Sequence, residues 1–135
     1  MRTIHFTVEG QPRGYVTRTY RGRFSPGAAA AHDYMNTVKL IAQAAGVPIP
    51  VPATFENPAI LDVDAYYQNL RGPDPENVKK LIQDALFPSK QGGDRYVAGC
   101  HGSWNLDPEH PRVEVTVTWD PATPEASQGS RGGRT

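Results

Sequence analysis

The chain has 135 residues, no formal net charge at neutral pH and 38% apolar residues, a size that fits one domain with a real hydrophobic core. Balanced charge argues against a protein that coats nucleic acid through bulk electrostatics, and no apolar run approaches the ~18 residues a membrane span needs. The single cysteine, Cys100, rules out an intrachain disulfide framework and a zinc-type cysteine cluster. Without a secretory leader ahead of Met1-Arg2-Thr3-Ile4, the expected location is cytoplasmic.

The charge is unevenly placed. Arg2, Arg13, Arg18, Arg21 and Arg23 fall within residues 1–24 against Glu9 alone, and the rest of the chain is acidic by the same margin. Ile4, Phe6 and Val8 alternate with His5, Thr7 and Glu9, the pattern of a half-buried strand, and Gly10-Gln11-Pro12 breaks it. Between 11 and 26 the arginines interleave with Tyr15, Tyr20 and Phe24. That mixture reads as a solvated loop or hairpin, or as a segment that grips phosphates and stacks on exposed bases. Arg13, Arg18, Arg21 and Arg23 are its candidate phosphate contacts.

Ser25-Pro26-Gly27 opens a helix expected over residues 28–45, rich in alanine at its start. Tyr34, Val38, Ile41, Ala42 and Ala45 mark its inner face, and Gly46 suits its C-terminal end. His32 and Asp33 fall on the outer side. Pro48, Pro50, Pro52 and Pro58 make residues 47–58 an extended connector. Residues 60–67 are a strand with Leu61, Val63, Ala65 and Tyr67 on one face and Ile60, Asp62, Asp64 and Tyr66 on the other. Asp62 and Asp64 are therefore solvated strand residues or additional metal ligands.

The most informative stretch is 74–94. Asp74 is a good N-cap and Pro75 sits at the first helical position, where its missing N–H costs nothing. Val78, Leu81, Ile82, Ala85 and Leu86 form one apolar stripe, which leaves Asp74, Glu76, Asn77 and Lys80 displayed outward. Phe87-Pro88 ends the helix and Gly92-Gly93 lets the chain turn to present Asp94. Three carboxylates and a lysine from neighbouring element ends suit magnesium or manganese, which takes carboxylate oxygens with waters and substrate phosphate. The same residues also make an ordinary capped helix start, with Glu76 and Lys80 as an i,i+4 ion pair worth ~0.2–0.5 kcal/mol. Arg71, just ahead of the helix, is placed to meet a phosphate, and Asn77 is a further candidate DNA contact.

Residues 95–104 are strand-like, and Val113, Val115, Val117 and Trp119 alternate with Glu114, Thr116 and Thr118 in a second strand. The link 105–111, with two prolines, reads as a hairpin loop. Cys100 and His101 are adjacent on a strand and face opposite ways, which argues against a zinc site. Beyond Asp120 the composition is that of a disordered tail. The expected fold is α/β (α+β): one two-layer domain over residues 1–119, a mixed sheet of about four strands with two main helices in the order β-α-β-α-β-β, then a tail over 120–135.

This order, with an Asp-x-acid-Asn-x-x-Lys helix followed by an aspartate, resembles the RusA family of Holliday-junction resolvases, phage- and prophage-borne endonucleases. The likeness covers residues 3–119. Its core is Asp74-Pro75-Glu76-Asn77-Val78-Lys79-Lys80, continued by Asp84-Ala85-Leu86 and then Asp94-Arg95-Tyr96-Val97. The resemblance implies that Asp74, Glu76, Asp94 and Lys80 are catalytic. It implies that the three acids hold Mg2+, with Mn2+ as a substitute. It also implies a homodimer that cuts four-way DNA junctions in paired, symmetric fashion during recombination and repair. Two positions depart from the family pattern: Glu76 stands where aspartate is usual, and Gly93 where a second acid often precedes the later aspartate. The alternatives are a nuclease for other branched or flapped DNA, and a junction-binding protein without cleavage.

Overall fold

The structure, a computed structural model, describes residues 1–14, 26–88 and 96–123. The elements are β1 (Arg2–Glu9), α1 (Pro26–Ala44), β2 (Ala59–Tyr67), α2 (Pro75–Leu86), β3 (Val97–Leu106) and β4 (Arg112–Trp119), in that order. They form two layers, with a mixed four-stranded sheet in the order β1-β4-β2-β3 under a layer of two helices that pack against each other. The expected class and element order are those observed. No described helix is long and apolar enough to cross a membrane.

The alternation of apolar residues builds the core. Phe6 and Val8 of β1, Leu61, Val63, Ala65 and Tyr67 of β2, and Val113, Val115, Val117 and Trp119 of β4 are all buried. They meet Ala31, Tyr34, Val38 and Ala42 of α1 and the whole expected stripe of α2. Helix α1 begins at Pro26, two residues ahead of expectation. It ends before Ala45, which is exposed rather than on the inner face. Gly46 takes φ +101°, and the Val47 N–H turns back to the Ala42 carbonyl at 2.9 Å. That left-handed residue is what glycine allows at a helix end.

One expectation about strand pairing is corrected. The link between β3 and β4 is not a hairpin loop, because β2 lies between them: β2 pairs parallel with β3 and antiparallel with β4. Strand β4 also pairs antiparallel with β1. Its regular valine alternation buries best with a neighbour on each side, whereas β3 contains Gly99, Gly102, Ser103 and Asn105 and suits an edge. The connection is clamped over the end of β2 by Arg112, which donates to Asp107 (2.9 Å) and Glu114 (2.6 Å) and lies 3.8 Å from the centre of the Tyr66 ring. The proline-rich connector carries no helix or strand, in keeping with an extended link, and part of it is buried. Val47, Val51 and Ala53 are buried in the core, and the Val51 N–H caps the Leu86 carbonyl at 3.0 Å.

The expected tail starts later than Asp120. The N–H groups of Ala122 and Thr123 bond to the Asp120 side chain and carbonyl, both at 2.9 Å, and Thr123 is buried. The rest of the expected tail, residues 124–135, lies outside the described residues.

Candidate functional site

The start of α2 is held from two sides. Its apolar stripe, Val78 to Leu86, is fully buried and fixes the helix on the sheet. Asp74 is the N-cap, with non-helical φ −54° and ψ 131°, and its Oδ1 accepts from the Glu76 N–H at 2.9 Å. Its carbonyl accepts from the N–H groups of Asn77 (2.9 Å) and Val78 (3.2 Å). Asp74, Glu76 and Lys80 are exposed and Asn77 is half-buried. The helix therefore presents two carboxylates beside its positive end.

The ion pair differs from expectation. Glu76 Oε2 lies 3.2 Å from Nζ of Lys79, three residues on, rather than pairing with Lys80. Lys79 is mostly covered, and its stem crosses Gly102 of β3: a Cβ on that glycine would lie 3.5 Å from Lys79 Cδ and 2.5 Å from the Val63 carbonyl oxygen. Glu76, Lys79, Ser103 and Trp104 line a recess of about 130 Å³ between α2 and β3. Lys79 is the residue the sequence reading missed. Its i,i+3 spacing from Glu76 was the available signal.

Beside Asp74 the chain forms a second hollow. Arg13, Gly14, Ala30, Arg71 and Pro73 line an open cleft of about 220 Å³, so the two described candidate phosphate contacts share one groove. Gly14 makes the closest approach. A Cβ there would stand 2.8 Å from the Asn77 carbonyl carbon and the Val78 nitrogen, so only glycine lets this segment seat on the first turn of α2. Gln11 ties the same segment to the end of β2, its Oε1 accepting from the Gln68 N–H at 2.6 Å. Tyr67 then fixes the approach to the cap by donating from its hydroxyl to the Pro73 carbonyl at 2.7 Å. Burial first, and the nearby Asp74 carboxylate second, push the Tyr67 phenol up to about 12. Burial likewise raises the phenol of Tyr34, against the opposing charge of Arg13.

Asp62 and Asp64 do not join this group. They lie on the sheet face away from the helices, opposite the buried Leu61 and Val63, and Asp64 Oδ1 accepts from the Ser103 hydroxyl at 2.7 Å. Cys100 and His101 pair with Leu61 and Asp62 respectively, hence on opposite faces as expected. Burial pushes the Cys100 thiol up, with the Lys79 charge opposing. His32 and Asp33 are exposed. Asp94, Arg18, Arg21 and Arg23 lie outside the described residues. Among the described residues no group of three histidine, cysteine or acidic side chains gathers to hold a metal ion. Asp74 and Glu76 are nevertheless hard oxygen donors on one exposed turn, which is the donor chemistry a hard cation takes.

A scan against protein-family models finds no match for this sequence, and neither does a search of curated proteins.

Proposed function

We propose that the protein is a metal-dependent endodeoxyribonuclease that resolves four-way DNA junctions by paired, symmetric phosphodiester hydrolysis. The observation that supports this reading best is the juxtaposition at the start of α2. Asp74 and Glu76 are exposed at that turn, Gly14 seats the N-terminal segment against Asn77 and Val78 of the same turn, and the adjoining cleft is lined by Arg13, Arg71 and Pro73, the residue before Asp74. Carboxylates repel phosphate, so acids set beside phosphate-binding arginines are productive when a cation lies between the two kinds of anion.

Asp74 and Glu76, with Asp94, would hold magnesium, for which manganese can substitute. The chemistry a magnesium ion would supply there is a more acidic bound water and neutralisation of phosphoryl charge. The protein's own contribution is positional. Arg13 and Arg71, with Asn77 and the arginines at 18, 21 and 23, would hold the DNA backbone, reading junction shape rather than base sequence. The N-terminus of α2 adds positive potential at the phosphate, and Lys80 would stabilise the charge that builds on oxygen in the transition state. Two paired cuts call for a twofold homodimer. The family likeness in Asp74-Pro75-Glu76-Asn77-Val78-Lys79-Lys80 supports the same assignment.

The cap hydrogen bond from Glu76 N–H to Asp74 favours a second reading, in which the acids only start a helix and the protein binds junctions without cutting them. Incubating the protein with a synthetic four-way junction, with magnesium or with chelator, separates the two. Paired symmetric nicks that need the metal support the nuclease. Cuts confined to flapped DNA change its substrate, and tight binding without cuts leaves the second reading.

A further inference from the structure

Trp104 pairs with the buried Ala65 in the β2–β3 register, so it shares the helix side of the sheet, yet 44% of it is exposed. A lone exposed aromatic needs no explanation. This one stands at a recess. Val63, Ala65 and Gly102 form apolar walls beside Trp104, and the Glu76–Lys79 ion pair bounds the helix side. Its volume of about 130 Å³ is of the order that takes one aromatic ring.

Trp104 is also fixed relative to the start of α2. Its ring centre lies 5.6 Å from that of the buried Tyr67, at an interplanar angle of 33°. The Tyr67 hydroxyl donates to the Pro73 carbonyl, one residue ahead of the Asp74 cap. One buried side chain therefore ties the aromatic platform on β3 to the turn that carries Asp74 and Glu76. Pro73 lines the arginine cleft and Pro75 lines the recess. The two hollows thus adjoin the same turn, one just before and one just after Asp74 in the chain.

We propose that the recess is a subsite for one unpaired nucleobase, stacked on Trp104, of a strand whose backbone follows the Arg13–Arg71 cleft. It rests on the reading of the α2 start as a DNA site. The recess offers what a base needs: an aromatic face, apolar walls and room for one ring system. A base inside a duplex is stacked on both faces and paired along its edge, so it enters only after leaving the stack. The subsite therefore selects DNA with an unpaired position beside the phosphate, such as the centre of a junction, a flap or a single strand. Stacking accepts any base, so what is selected is strand opening and not sequence.

The chain has two tryptophans, and Trp119 is buried, so the change in emission on adding DNA reports on Trp104. With chelator present to prevent cutting, oligothymidylate and a synthetic four-way junction should quench the full chain. A blunt, fully paired duplex should not. Trp104→Phe keeps an aromatic face; it should bind the junction within a few-fold of the wild type and, left with Trp119 alone, show no quenching. Trp104→Ala should keep the circular dichroism spectrum and bind the junction on the order of ten- to a hundredfold more weakly. Emission unchanged at saturating junction overturns the subsite, and so does a Trp104→Ala variant that binds as the wild type does. Neither result touches cleavage, which is read separately with magnesium. A chain that quenches with these DNAs and never cuts keeps the subsite and loses the nuclease.

Discussion

Replacing Asp74 by asparagine separates the two things this residue can do. As an N-cap, asparagine is about as good as aspartate, because either side-chain oxygen can accept the Glu76 N–H. The loss of one negative charge at the helix start costs about 0.3–1 kcal/mol. By contrast, Asp74→Ala removes the acceptor as well, at a typical cost of ~1 kcal/mol, or a fall of about 3–5 °C in Tm for a domain of this size. A cation held by these acids, as proposed, would contribute several kcal/mol to charge stabilisation. Losing a share of that, at 1.36 kcal/mol per tenfold, lowers the rate on the order of 10²–10³. Asp74→Asn should therefore keep its fold and junction affinity while losing cleavage. Tyr67 reports on the change in charge. Its phenol, held near 12 partly by the Asp74 carboxylate, should titrate closer to its ordinary value when followed by ultraviolet absorbance. Turnover like that of the wild type, in a variant whose Tyr67 pKa has fallen, would remove Asp74 from the site and leave it a cap.

Gly14→Ala sets a Cβ 2.8 Å from the α2 backbone. Overpacking of this kind costs ~1–3 kcal/mol; thermal unfolding should show the loss and junction binding should weaken, whereas an unchanged Tm would mean the segment is not seated there. Arg13→Ala with Arg71→Ala should reduce the salt slope of junction binding by about 2, since each phosphate contact contributes ~0.9; an identical slope clears the cleft of that role. Lys79→Ala removes an i,i+3 ion pair worth a few tenths of a kcal/mol, whose carboxylate is exposed and whose lysine is mostly covered, and should leave cleavage near normal, while Lys80→Ala should abolish it. The reverse result would exchange the two lysines. At alkaline pH the sign for Tyr67 is fixed by its raised folded value. Its stabilising contribution is complete below the unfolded value of 10.0 and is lost as pH rises toward about 12. Tyr67→Phe should flatten the stability profile across that window in a pH series of thermal melts.

The elements were legible wherever periodicity was strong. The stripe Val78, Leu81, Ile82, Ala85, Leu86 and the alternations in β2 and β4 are local patterns, and each is buried as its spacing requires. The cap at Asp74 and the stop at Gly46 were legible because single residue types do that work. What the pattern lacked was long-range information. Val47, Val51 and Ala53 sit among prolines with no period, and they are buried because the connector runs beneath the end of α2, as the bond from Val51 to Leu86 records. For Glu76, both Lys79 and Lys80 stand at helical contact spacing. Which one it meets depends on the gap over Gly102, a feature of another strand entirely.

The same limit explains the misplaced hairpin, and its consequence reaches the site. A short, proline-bearing link between two strands looks like a hairpin because nearest neighbours in sequence usually pair. Here the competition is between strands for central positions. A strand of alternating valines gains more from two neighbours than one carrying two glycines, a serine and an asparagine. Strand β4 therefore inserts between β1 and β2, and β3 is left at the rim. A true β3–β4 hairpin would have covered the side of β3 that now faces outward. Because the link instead steps over β2 under the Arg112 clamp, Trp104 and Leu106 stay exposed, and Trp104 lines the recess that holds Glu76 and Lys79. The weak strand thus places the α2 start beside a rim strand that carries no acidic residue, lysine or arginine of its own. Breaking the clamp with Arg112→Met should loosen this loop without moving β4. Faster hydrogen exchange at Asp107 and His110, with Val113 to Val117 still protected, would confirm that the clamp holds the connection and not the strand; equal loss of protection in both would refute it.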